Sequence, residues 1–181
     1  MRANFQKESF NEKSYNRIFQ GLSFKEIDLE SEKVKEIVEV EKIENYKLPL
    51  LMFLLEDNTL LHIEIMNEEI KPDYPGMFAY DMSIVLRYGF KVRTVILNFG
   101  IRQDGKIIRN FGSICYEVQI VDLSGIDGDK VYEELSQKIT LGNLLNERDK
   151  LSLVFFPFMK DSLSFSEAFK KSYAFIREYE R

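Results

Sequence analysis

Residues 50–80 read LLMFLLEDNTLLHIEIMNEEIKPDYPGMFAY, and the order of apolar and polar positions in this stretch decides the fold. Leu48 to Leu55 is a nearly continuous apolar run and Leu60 to Met66 is a second. Each has the length and content of a buried strand. Between them stands EDNT, whose Asp57 and Asn58 suit a tight turn, so the two runs predict a hairpin. Side chains alternate across a strand, which puts His62, Glu64 and Met66 on one face and Leu61, Ile63 and Ile65 on the other. Glu64 then lies among apolar neighbours, where a carboxylate without a partner is costly. Pro72 and Pro75 interrupt the chain next, and Met77, Tyr80, Ile84, Leu86 and Tyr88 recur at helical spacing over Gly76 to Tyr88, with Gly89 as the stop. Val92 to Phe99, VRTVILNF, follows as a buried strand. Strand, helix and strand in this order predict a right-handed crossover and a partly parallel sheet.

Outward from that block, Ser14 to Leu22 predicts a short helix with Tyr15, Ile18, Phe19 and Leu22 on one face, and Val34 to Val40, VKEIVEV, alternates like a strand. Lys106 to Ile108 and Ile114 to Val121 read as a second hairpin. Asp127 or Asp129 can cap a helix over Val131 to Lys138, and Leu141 to Glu147 has the pattern of a further short helix. The apolar run Leu151 to Phe158 reads as a buried strand or turn entry, its Phe155, Phe156 and Phe158 as core. Ser164 to Tyr179 is helical, with Phe165, Ala168, Phe169, Phe175 and Ile176 facing inward. The sum is an α/β domain, a mixed central sheet flanked by helices.

With 181 residues, 45% of them hydrophobic, the chain is long enough for one domain with a substantial core, and no repeat, low-complexity tract or linker divides it. Residues 1–181 are read as that single domain. The 15 Phe and 9 Tyr argue against disorder. No run approaches the ~20 apolar residues that cross a bilayer. The N-terminal MRANFQKESFNEK carries charges where a signal peptide needs an apolar stretch, so a cytoplasmic location without membrane contact is expected. The net charge of −5 counts against a chain built chiefly to grip phosphates. Charge is uneven, however. Glu26, Asp28, Glu30, Glu32, Glu36, Glu39, Glu41 and Glu44 crowd one segment, and Arg87, Lys91, Arg93, Arg102, Lys106 and Arg109 dominate another. Both sets also read as ordinary solvated faces.

A single His and a single Cys exclude an internal disulfide and a soft-ligand zinc site within one chain, so any metal would be held by carboxylate oxygens, as Mg²⁺ or Mn²⁺ are. Cys115, between Ile114 and Tyr116 on an alternating strand, reads as an inert core thiol, with no second histidine to activate it. His62 invites a role as general base, but a ring beside Glu64 on a strand reads more simply as a buried group bonded to a neighbour. In DLSGIDGDK, Asp127 occupies the place where a calcium loop needs glycine, which leaves a turn and a helix cap. No P-loop, dinucleotide fingerprint or nucleophile elbow is present.

From roughly Glu36 to Glu134 the chain resembles the PD-(D/E)XK nuclease superfamily, and within it the recombination-promoting nuclease and transposase-related family. The corresponding segments are Leu50-Leu51-Met52-Phe53, Glu56-Asp57-Asn58, His62-Ile63-Glu64-Ile65-Met66 and Gly76-Met77-Phe78-Ala79-Tyr80. RYGFKVRTVILNFG and CYEVQIVDLSGIDGDKVYEEL are similar to the next strand and the strand-to-helix passage that follows it. The resemblance implies a restriction-endonuclease-like fold, its core over roughly residues 12–135 and a helical cap over roughly 140–181. It also shows a degenerate motif: the metal-binding Asp falls on Leu50, the Gln or Lys on Met66 and the helix Arg on Gly76, while upstream Asn16-Arg17-Ile18-Phe19-Gln20 lacks the charges of the family pattern.

Hydrolysis on this scaffold needs carboxylates to seat a divalent cation and a polar group to position water, and Leu50 and Met66 supply neither. The expected function is therefore a nuclease-like domain related to transposase-associated DNA endonucleases, catalytically impaired, with no bound cofactor and at most weak DNA binding through Arg87, Lys91, Arg93, Arg102, Lys106 and Arg109. An alternative is an active Mg²⁺- or Mn²⁺-dependent endonuclease in which Glu64 and Lys71 are catalytic and Glu56 and Asp57 join Glu64 on the metal, with Glu68 and Asp73 as further carboxylates in reach. Another is a non-catalytic homodimeric interaction module.

Overall fold

The computed structural model describes residues 19–27, 29, 32–38, 51–67, 71–159 and 163–179. Strands β1 (Val34–Ile37), β2 (Leu51–Leu55) and β3 (Thr59–Met66) form an antiparallel meander, with Leu51 opposite Ile63 and Phe53 opposite Leu61. The β2–β3 turn depends on two residues. Asn58 adopts φ 62°, a left-handed conformation that Asn tolerates better than most residues, and the Asp57 carboxylate accepts from the Thr59 amide and hydroxyl at 2.9 Å.

Helix α1 (Tyr74–Tyr88) carries the crossover to β4 (Lys91–Asn98), which runs parallel to β3 with His62 opposite Thr94 and Glu64 opposite Ile96. Its start follows from Pro75 in the first turn and from Asp73, whose side chain accepts the Gly76 amide at 3.1 Å. That cap explains the glycine at 76, because a Cβ there would lie 2.5 Å from the Asp73 carboxylate. Gly89, at φ 73°, ends the helix. Strands β5 (Gly105–Phe111) and β6 (Ile114–Asp122) form the second hairpin, and β6 lies parallel to β4 with Val118 opposite Thr94. The strand order is β1-β2-β3-β4-β6-β5. The fold is thus α/β with a mixed sheet.

Helices α2 (Gly128–Thr140), α3 (Glu147–Phe155) and α4 (Phe165–Tyr179) cover the face that presents Phe53, Leu61, Ile63, Val95 and Leu97, and these residues join Leu135, Leu151, Leu153, Phe155, Phe156, Ala168 and Ile176 in the main core. Each of the Val, Leu, Ile and Phe side chains contributes about 1.5–3 kcal/mol by leaving water. The other face carries Met52, Leu54, Leu60, Ile96, Val118 and Ile120 beneath Met77, Tyr80 and Ile84 of α1. Among the described residues no helix is long and apolar enough to cross a membrane.

Four expectations need correction. Leu151 to Phe158 is not a strand. It is the end of α3 and a 3-10 turn, Phe156–Phe158. A short apolar run is ambiguous between buried strand and buried helix, and here the Asn146–Asp149 capping box, reinforced by Lys138 donating to Asp149 at 2.5 Å, starts a helix. Leu141 to Leu145 is the connection before that cap, with Leu141 and Leu144 exposed, and Glu147 already opens α3. Leu86 points to solvent rather than to the sheet, and Cys115 is exposed, because it lies opposite Asn110 on the outermost strand, itself exposed along most of its length. The predicted helix at Ser14 lies largely outside the described residues, as do Leu48 to Leu50, the upstream Asn16-Arg17-Ile18 and Glu68.

Candidate functional site

Under α1 the sheet carries a cluster of polar side chains in an otherwise apolar layer. His62 and Glu64 come from β3, Thr94 from β4, Tyr116 from β6 and Asp81 from the inner face of α1, one turn from Met77 and Ile84. His62 is 1% exposed, and Glu64, Asp81 and Thr94 are buried. The His62 Nδ1 lies 2.6 Å from Asp81 Oδ1, and Nε2 lies 3.3 Å from Glu64 Oε1. The other oxygen of Asp81 accepts from the Thr94 hydroxyl and from the Tyr116 hydroxyl, each at 2.5 Å, and Tyr116 and Thr94 lie 3.0 Å apart.

Two carboxylates facing the two ring nitrogens call for two N–H donors, which only the imidazolium has. Burial alone would lower the His62 pKa from 6.5, but hydrogen bonds with Asp81 and Glu64 and the charges of both carboxylates overcome it and raise the value to about 9. Burial, and then the charge of Asp81, hold the Tyr116 hydroxyl far above its ordinary range, so it remains a donor. Hydrogen bonds to charged groups contribute about 1.5–3 kcal/mol each, which makes this network a strong tie between α1 and three strands.

Of the residues singled out in the sequence, His62 and Glu64 are brought together, with Glu64 keeping 12% side-chain exposure. Met66 is half-buried against the Met77 cluster, and Gly76 lies in the first turn of α1. Lys71 is exposed, its Nζ donating to the Asn67 carbonyl at 3.4 Å. Glu56 and Asp57 stay in the exposed β2–β3 turn, and at about 3.3 Å per residue the strand from Asp57 to Glu64 spans roughly 20 Å, so these residues do not meet Glu64.

The basic set is dispersed. Arg87 lies in the last turn of α1, Lys91 begins β4, and Arg102 follows the other end of that strand, 3.9 Å from Asp122. Arg93 donates to Gln119 at 2.6 Å. Lys106 pairs with Glu117 at 2.7 Å, whereas Arg109, on the opposite face of the same strand, stands over the Tyr74 ring.

Among the described residues no group of three His, Cys, Asp or Glu side chains could hold a metal. Both oxygens of Asp81 are taken, and one of Glu64 is held by His62. As arranged, the donors do not fit Mg²⁺, which needs free carboxylate oxygens in a near-octahedral shell. Asp81, Thr94 and Tyr116 escaped the sequence reading. The available signals were an acidic residue at a core-facing position of a helix and a lone hydroxyl in the apolar strand VRTVILNF.

No protein-family model, no curated protein and no solved structure matches the chain.

Proposed function

We propose that this chain is a PD-(D/E)XK-like domain that has lost phosphodiester hydrolysis and retains at most a nucleic-acid-binding role. The observation that carries the reading is the partner of Glu64: the carboxylate at the surviving motif position faces the buried His62 ring, 3.3 Å away, which it shares with Asp81, instead of facing a second free carboxylate. The protonated ring thus occupies one oxygen of Glu64 that a metal ion would need. The connectivity of antiparallel hairpin, crossover helix and parallel strand supports the resemblance at the level of scaffold. Met66 and Gly76 offer no group to position water.

The test is cleavage of supercoiled plasmid with Mg²⁺ and then Mn²⁺, wild type beside Glu64→Ala from matched preparations, with DNA retention measured in parallel. No cleavage, or equal residual cleavage in both, is expected, together with retention that weakens as salt is added. Cleavage that disappears in Glu64→Ala would replace this reading by the active endonuclease. Salt-insensitive retention, or none, with a stable dimer in sedimentation would replace it by the interaction module.

A further inference from the structure

The seam between α1 and the β5–β6 hairpin is built from aromatic rings and one cation, Arg109, that has no carboxylate partner among the described residues. Phe78 of α1 and Phe111 of β5 stack with centroids 4.5 Å apart and planes 12° apart, and Tyr116 meets Phe78 edge-on at 5.4 Å. Tyr74, one turn before Phe78, lies under the Arg109 guanidinium at 4.6 Å. Arg109 and Phe111 share a face of β5, and Arg109 is directly opposite Tyr116. The four rings are half-buried and Arg109 is exposed, so the band is held in place yet open along its rim. Tyr116 fixes its inner margin through the bond to Asp81.

Charge distinguishes this band from the rest of the edge. Lys106 has Glu117 and Arg102 has Asp122, whereas among the described residues no carboxylate lies within ion-pair distance of Arg109. A guanidinium over a ring keeps N–H groups for a phosphate, and half-buried rings beside it offer their remaining π surface to planar, weakly hydrated groups. Unpaired nucleotides carry both, while a duplex hides its base faces inside the stack.

We propose that Tyr74, Phe78, Arg109, Phe111 and Tyr116 form a stacking shelf for single-stranded nucleic acid. This rests on the nucleic-acid reading above and narrows it from DNA in general to unpaired strands.

Fluorescence anisotropy with labelled oligo(dT) of about 16 nucleotides, beside a duplex of equal length, tests the shelf. Tighter binding of oligo(dT) than of duplex is expected, weakened about tenfold or more by Phe111→Ala. Arg109→Ala should weaken it too and make the logarithmic salt slope shallower by about 0.7. Phe111→Leu, which keeps apolar bulk without a π face, should weaken binding similarly and guards against a folding defect in the alanine variant. Duplex bound in preference, or oligo(dT) bound equally by wild type and variants, would overturn the shelf while leaving a nucleic-acid role intact. Binding of neither probe would remove both.

Discussion

Replacing Asp81 with Asn removes one charge from the buried network while keeping the side chain's shape. His62 then loses its closer carboxylate, and the Thr94 and Tyr116 hydroxyls meet a group that offers one acceptor oxygen in place of two. Breaking a buried pair from one side costs about 3–5 kcal/mol, a large share of the ~5–15 kcal/mol that holds a typical domain together. The lone histidine makes the effect visible in proton NMR, since one imidazole Hε1 resonance reports the site. In the wild type it should titrate near 9, and in Asp81→Asn it should fall towards or below 6.5, because burial is then opposed by Glu64 alone.

Stability must follow the same proton. The folded pKa of His62 is raised, so its contribution is complete below about pH 6.5 and is lost as pH climbs through about 9. The rise from 6.5 to about 9 corresponds to about 3 kcal/mol. Urea denaturation at about pH 6 and about pH 10 should show that loss in the wild type and much less of it in Asp81→Asn. A wild-type histidine titrating at or below 6.5, or an alkaline loss of the same size in both proteins, would refute an imidazolium held between two carboxylates.

Two further outcomes follow from single contacts. Among the described residues the buried Tyr80 hydroxyl has no hydrogen-bond partner, so Tyr80→Phe should leave stability unchanged or raise it by up to about 1 kcal/mol in thermal melts. Asp73→Ala removes the cap of α1 and should cost about 1 kcal/mol in urea denaturation, whereas Gly76→Ala, which displaces that cap but improves helix propensity, should fall within about 1 kcal/mol of wild type.

The sheet was legible wherever one period dominated. LLMFLL and LLHIEIM on either side of EDNT define the first hairpin, and VRTVILNF after a proline-led helix defines the parallel pair. Leu151 to Phe158 was not legible, because its apolar run satisfies either period and the Asn146–Asp149 capping box that starts the helix lies upstream of the run, reinforced by a tertiary bond from Lys138. The site divides in the same way. His62 and Glu64 stand two apart on one strand, a local relation that alternation reveals. Asp81, Thr94 and Tyr116 come from three other elements, and Tyr116 is 35 positions from the carboxylate it meets, so their convergence exists only in the folded sheet.

Strand β4 finds neither of its neighbours locally. The hairpins close over short turns, but Thr94 pairs with His62 on one side and Val118 on the other, both far along the chain. Such distant closures return their contacts only after the entropy of bringing the strands together has been lost. The centre of the sheet is therefore the part most open to mispairing, since a slip of one residue would turn every side chain of β4 to the wrong face. Thr94 would then leave Asp81, and a carboxylate in an apolar layer would lose one of its donors. The polar network thus proofreads the strand: its members are satisfied together in one register, and a misregistered sheet carries the penalty where no water can relieve it.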